Sequence, residues 1–170
     1  VLAHARLAIL DTSSAGTQPF TDASGRYTII YNGEFYNYRD YYAELRADGV
    51  NFTSSSDTEV LLYLYIKYRQ CCLEKINGFF AFAVYDSVEN TLFVARDRMG
   101  IKPLYFIQTE QFFGFSSELK GILEFPFERK LNNNALFAYL QFMYVPAPMT
   151  MVQGVEKLEP GMSSGSARGD

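Results

Sequence analysis

Two apolar runs stand four residues apart near the middle of the chain, and they constrain the fold most. Phe79 to Asp86 and Thr91 to Asp97 are each strand-sized, and the polar turn Ser87 to Asn90 joins them. Neither run alternates cleanly between apolar and polar, as a strand with one wet face would. Both faces of this hairpin therefore have to be covered. No apolar run in the chain is longer than Phe79 to Tyr85, which is far short of the roughly 18 residues of a membrane helix.

The elements on either side of the hairpin give the order. Val1 to Asp11 is apolar and β-compatible, and Ser13 to Gly25 is loop chemistry. Tyr27 to Tyr31 is β-branched and aromatic. Tyr38, Tyr41, Tyr42 and Leu45 form one stripe of a helix that Gly49 ends. Val50 to Phe52 reads as a short strand. Ser56 and Glu59 form a capping box ahead of Val60, Leu61, Leu64, Tyr65 and Tyr68. Leu104 to Ile107 and Phe112 to Phe115 extend the central hairpin into a four-stranded meander. A short helix over Ser117 to Leu123 follows, and Asn133 or Asn134 is placed to cap another over Ala135 to Phe142. Strands, two helices, strands and two helices make an α+β chain. The Ser/Gly-rich stretch 163–170 is expected to be a disordered tail, which leaves 1–162 as one domain.

Composition excludes several functions. With 15 Lys and Arg against 19 Asp and Glu, the net charge is −4, so no basic field is available for nucleic acid or an anionic membrane. The single histidine, His4, rules out a His-rich metal centre, and no metal site is expected. Cys71 and Cys72 are neighbours without zinc or disulfide spacing, so they read as packing residues in a reduced, cytoplasmic setting.

The residues that can carry chemistry each have a plainer reading. Asn32-Gly33 is first a hairpin signal. Alternatively, the amide of Asn32 and the N–H of Gly33 form a donor pair for a developing oxyanion, with Glu34 as a fixed charge beside it. Asp57 complements the dipole of its helix, or turns into a cleft to hold a cation. Arg6 snorkels from an apolar strand, or forks onto a carboxylate. Arg96-Asp97-Arg98 ahead of Gly100 and Pro103 reads as local bonding that fixes a turn.

Taken together, these segments resemble the asparagine synthetases. His4-Ala5-Arg6-Leu7-Ala8-Ile9-Leu10-Asp11 with Gln18-Pro19 is similar to their H-x-R-L-x-I-x-D…Q-P block. Tyr31-Asn32-Gly33-Glu34-Phe35-Tyr36-Asn37 resembles N-G-E-I/F-Y-N, and Ser56-Asp57-Thr58-Glu59-Val60 resembles S-D-T-E-V. Gly78-Phe79-Phe80-Ala81-Phe82 and Arg96-Asp97-Arg98-Met99-Gly100-Ile101-Lys102-Pro103-Leu104-Tyr105 are similar to G-M-F-A-F and R-D-x-x-G-I-K-P-L-Y. Tyr144-Val145-Pro146-Ala147-Pro148 and Leu158-Glu159-Pro160-Gly161 complete a series that covers about Leu2 to Gly161.

The resemblance implies a class II glutamine amidotransferase domain with an N-terminal-nucleophile hydrolase fold, two antiparallel sheets sandwiched between helical layers. It implies that Arg6 binds the α-carboxylate of L-glutamine and that Leu7, Ala8, Ile9 and Leu10 line the pocket. Glu34 and Asp57 would hold the α-ammonium, and Asn32 and Gly33 would be the catalytic oxyanion hole. The family's nucleophile is an N-terminal cysteine expected upstream of His4, so this chain as it stands is expected to hold a pocket without its nucleophile and to be inactive alone. No cofactor is expected in this domain. ATP, Mg and aspartate would belong to a further synthetase domain, and a homodimer is compatible with the sequence. Another class II amidotransferase, or a non-catalytic glutamine-binding module, is the alternative.

Overall fold

The computed structural model describes residues 1–5 and 16–167. Residues 6–15 lie outside the described set, and with them Arg6, Leu7, Ala8, Ile9 and Leu10. The chain divides into two compact units, one from Val1–Ala95 with the segment from Ser164, the other Arg96–Ser163.

The first unit contains a five-stranded sheet in the order β1 (Phe20–Thr21), β2 (Tyr27–Phe35), β3 (Gly78–Asp86), β4 (Thr91–Arg96), β8 (Ser163–Ala167). Residues 163–167, expected as part of a disordered tail, thus form an edge strand. Small and hydroxylated side chains did not announce it, because an edge strand draws on main-chain pairing rather than on a hydrophobic pattern. β2 and β3 are antiparallel over nine residue pairs, from Tyr27 opposite Asp86 to Phe35 opposite Gly78. Alternate residues of β2 (Tyr27, Ile29, Tyr31 and Phe35) enter a core with Leu61, Leu64 and Phe82. Helices α1 (Tyr38–Ala47) and α2 (Asp57–Tyr68) supply much of the remainder, and a 3₁₀ turn, Arg69–Glu74, follows α2. The stripe read for α1 is the one that packs, with Leu45 fully buried. Val50 and Phe52 form no strand. They fold back as side chains against the same core, after the Val50 N–H bonds the Leu45 carbonyl at 3.0 Å.

The second unit has a three-stranded antiparallel sheet, β6 (Phe113–Ser116), β5 (Tyr105–Gln108), β7 (Val155–Lys157). Helices α3 (Leu119–Ile122) and α4 (Asn133–Phe142) belong to it. The expected four-stranded meander is therefore two pairs in two sheets. The break comes at Asp97, whose buried carboxylate accepts the N–H groups of Met99, Ile101 and Lys102 at 3.0 Å each. The Arg96 guanidinium donates to the carbonyls of Gly100, Lys102 and Leu158. These bonds wind the chain into a fixed loop, the framework role read for this motif. The cap of α4 is Asn132 rather than Asn133 or Asn134: its side-chain oxygen accepts from the N–H groups of Asn134 and Ala135.

Candidate active site at the Gly33 edge of β2

Asn32-Gly33 is not a hairpin turn. It lies inside β2, with Asn32 opposite Ala81 and Gly33 opposite Phe80. Glycine is needed here for close approach: a Cβ on Gly33 would stand 2.2 Å from the Phe79 carbonyl oxygen and 2.8 Å from the Phe80 Cα. Gly78 meets the same limit from the other strand, 2.1 Å from the Glu34 carbonyl oxygen. Hairpin signal and strand interior share one dipeptide, and only the pairing partner separates them.

The opposite edge of β2 is occupied in pieces. β1 is only two residues long and covers Thr28 and Ile29. Asp22 serves Tyr27, its carboxylate accepting the Tyr27 N–H at 2.7 Å while its own N–H meets the Tyr27 carbonyl at 3.0 Å. At Tyr31 a side chain takes over. The Gln18 amide accepts the Tyr31 N–H at 2.6 Å and donates to the Tyr31 carbonyl at 3.0 Å, standing in for a strand. At Phe35 the Asp57 carboxylate accepts the main-chain N–H at 3.1 Å. Main-chain groups alternate between the two edges of a strand. Those of Gly33 therefore face the same edge as Tyr31 and Phe35, between the Gln18 amide and the Asp57 carboxylate. No described residue claims the Gly33 N–H.

Asp57 is brought there by α2. Ser56 is the N-cap, its Oγ accepting the Thr58 N–H at 3.2 Å. The other half of the expected capping box is diverted. Glu59 is fully buried, and its two carboxylate oxygens accept the N–H and hydroxyl groups of Thr53 and Ser54 at 2.6–3.1 Å. The Ser54 hydroxyl then receives the Ser56 N–H at 3.2 Å. Glu59 thus holds the chain that delivers Asp57. The Asp57 residue is 6% exposed and also accepts the Tyr31 phenol at 3.2 Å. Burial pushes its carboxyl above the ordinary range, and the charge of Glu34 pushes the same way, while the Phe35 and Tyr31 bonds hold it down. Glu34 shares a strand face with Asn32, since two residues separate successive side chains on one face.

The ion pairs among the described residues of this unit, Arg26 with Asp86 and Glu89, and Lys67 with Glu44 and Asp48, use neither Glu34 nor Asp57. Two carboxylates near one N–H donor that no described residue claims make a place that favours a ligand carrying both a cation and a carbonyl oxygen. Among the described residues no group of three or more His, Cys, Asp or Glu side chains is placed to hold a metal ion, and no helix is long and apolar enough to cross a membrane. Cys71 is exposed and Cys72 buried, both as free thiols. Desolvation pushes the Cys72 thiol up to about 12, consistent with packing rather than reactivity.

The sequence brought Asn32, Gly33, Glu34 and Asp57 forward, and the structure gathers them at one strand edge and one helix start. It gave no role to Gln18 or Tyr31. Their contacts reach across 13, 26 and 40 residues of chain, which no local pattern carries.

The two antiparallel sheets and their helices have the N-terminal-nucleophile hydrolase-like fold of the amidotransferases. The sequence profile of the glutamine amidotransferase domain matches residues 1–170, and the chain belongs to that family. Asparagine synthetase [glutamine-hydrolyzing] 3 of Bacillus subtilis is 50% identical over 125 residues, covering 72% of this chain and 20% of that protein. Asparagine synthetase [glutamine-hydrolyzing] 1 of the same organism is 40% identical over 156 residues, 92% of this chain and 24% of that protein. Amidase chry2 of Gibberella zeae is 37% identical over 160 residues, 94% of this chain and 23% of that protein. The chain thus spans about a quarter of the length of these curated relatives. Among solved structures, the glutamine phosphoribosylpyrophosphate amidotransferase of B. subtilis, complexed with ADP and GMP, superposes with a TM-score of 0.58 at 26% identity, over 70% of this chain and 28% of that one. It carries the same fold, with two antiparallel sheets and helices.

Proposed function

We propose that this chain is the glutaminase part of an asparagine synthetase, binding L-glutamine and releasing its amide nitrogen as ammonia for transfer to aspartate. The observation that carries the reading is the edge of β2 at Gly33, whose N–H no described residue claims, bounded by the Asp57 carboxylate. A glutamine laid against this edge directs its α-ammonium to Asp57 and Glu34. Its side-chain carbonyl meets the Gly33 N–H and the Asn32 amide. When the family's cysteine thiolate attacks that carbonyl, negative charge gathers on the oxygen, and these two donors would stabilise it. Arg6, with Leu7, Ala8, Ile9 and Leu10 beside it, is proposed to complete the pocket around the α-carboxylate. Neither Cys71 nor Cys72 is proposed as the attacking group.

Aspartate, ATP and Mg are proposed to be handled by the part of such a protein that this chain does not match, and no residue here is assigned to them. A cytoplasmic location and a homodimer belong to the same proposal. The amidase relative keeps a second reading open, a class II amidotransferase with another ammonia acceptor. Expression of the whole reading frame in an asparagine-auxotrophic bacterium separates the two. Growth without asparagine supports the synthetase. Glutamine hydrolysis without growth assigns the ammonia to a different acceptor.

A further inference from the structure

The Tyr31 side chain neighbours Asp57 but has no place among the proposed substrate contacts. It is 4% exposed, in the middle of β2, on the face that packs against α2. Its ring is held in the core, and both of its main-chain groups are taken up. The Gln18 amide grips its N–H and carbonyl, and β3 pairs it with Phe82. Gln18 also donates to the Thr58 hydroxyl at 3.3 Å, next in sequence to Asp57, so strand and helix are fixed to each other at this point. The phenol has little freedom to do anything but donate to Asp57.

An Asp carboxylate has about four lone-pair sites and can rotate about its Cβ–Cγ bond. The Phe35 N–H and the Tyr31 O–H both fall on Oδ2. Two donors on one oxygen fix the plane of the carboxylate and turn the other oxygen, Oδ1, toward the remaining partners. We propose that Tyr31 is a positioning residue that orients Asp57 and so makes the site selective for amides that carry an α-ammonium group. This rests on the reading of the edge as a glutamine site. The phenol does not touch the substrate. It acts only through Asp57, and so it should matter for one substituent of the ligand and not for the rest.

That restriction makes the idea testable with a single-atom change. Tyr31→Phe removes the hydroxyl and keeps the ring in the core. Two ligands are titrated into the chain and followed by amide NMR: L-glutamine, and 4-carbamoylbutanoate, which has the same carboxamide and carboxylate but no ammonium. The expected result is about tenfold weaker binding of glutamine, the scale of one hydrogen bond to a charged group, with the desamino ligand changed less than about twofold. Equal weakening of both ligands, or no change in either, overturns the proposal. Should the unaltered chain bind neither ligand, the glutamine reading of the edge fails, and the orienting bond is judged by the Asp57 carboxyl titration seen in ¹³C spectra. The groups that face it are Tyr31, Glu34 and the N–H groups of Phe35 and Thr58. Loss of the phenol donor moves that titration to higher pH if Tyr31 orients Asp57, and an unmoved titration overturns the proposal.

Discussion

Gly33→Ala probes the place where strand pairing and chemistry depend on the same residue. The added Cβ would start 2.2 Å from the Phe79 carbonyl oxygen, whereas real Cβ atoms essentially never come within 3.0 Å of a neighbour. The obstacle is backbone on the paired strand, so no side chain can rotate out of the way. β2 and β3 must separate by about 0.8 Å toward the Phe35–Gly78 end of their pairing. Inserting one carbon into a well-packed interior costs about 1–3 kcal/mol, and a rigid obstacle belongs at the upper end. For a chain of this size about 3 kcal/mol lowers the melting temperature by roughly 6–12 °C. Gly154→Ala is the comparison: its φ is +79°, but a Cβ there meets nothing within 4 Å. The cost of the left-handed conformation alone is about 1–2 kcal/mol. Both variants are measured by calorimetry and by urea unfolding. If Gly33→Ala proves no more harmful than Gly154→Ala, close strand approach is not what requires glycine at this position.

Glu59→Gln should cost about 3 kcal/mol in urea unfolding, because an amide NH₂ would face donors from Thr53 or Ser54 in a fully buried site. A loss below about 1 kcal/mol would mean that these bonds contribute little. The two thiols should separate cleanly in maleimide labelling followed by mass spectrometry. Cys71 reacts in the folded chain, and Cys72 reacts only after denaturant is added, since it is buried and its thiol lies at about 12. Rapid double labelling of the folded chain would contradict the packing role of Cys72.

The helices were the most legible part of the chain, because their signals are local. The stripe of Tyr38, Tyr41, Tyr42 and Leu45, the stop at Gly49 and the Ser56 cap each lie within one or two turns, and each was found in place. Sheet membership was harder to read. β3 and β4 were visible as runs, yet the change of sheet before β5 is made by the buried Asp97 carboxylate binding three N–H groups, which a hydrophobic pattern does not register. The edge strand β8 was hidden for a similar reason. At the site, Asn32, Gly33, Glu34 and Asp57 stood out through their resemblance to a family, since spacing alone favoured a hairpin and a helix-dipole residue. The edge that unites them was not legible. It is assembled by Gln18 and Asp57 replacing a strand through long-range bonds, a device that leaves no periodicity.

The central claim is that this edge binds glutamine through Asp57, and calorimetric titration of L-glutamine into the chain and into Asp57→Asn tests it most directly. As the partner of an ammonium in a largely dry site, Asp57 should be worth about 2–5 kcal/mol of binding, so the variant should bind at least about thirtyfold more weakly. The unliganded fold should not suffer in proportion. Burial raises the Asp57 carboxyl, so the folded chain holds that proton more tightly than the unfolded chain does. The charged group therefore subtracts stability as pH rises from the ordinary carboxylate range through its folded pKa. At pH 7 the melting temperature of Asp57→Asn should stay level or rise. Saturable binding that collapses in the variant while the melting temperature holds is the predicted result. Unchanged affinity, or a loss of affinity matched by a collapse of the fold, would contradict it.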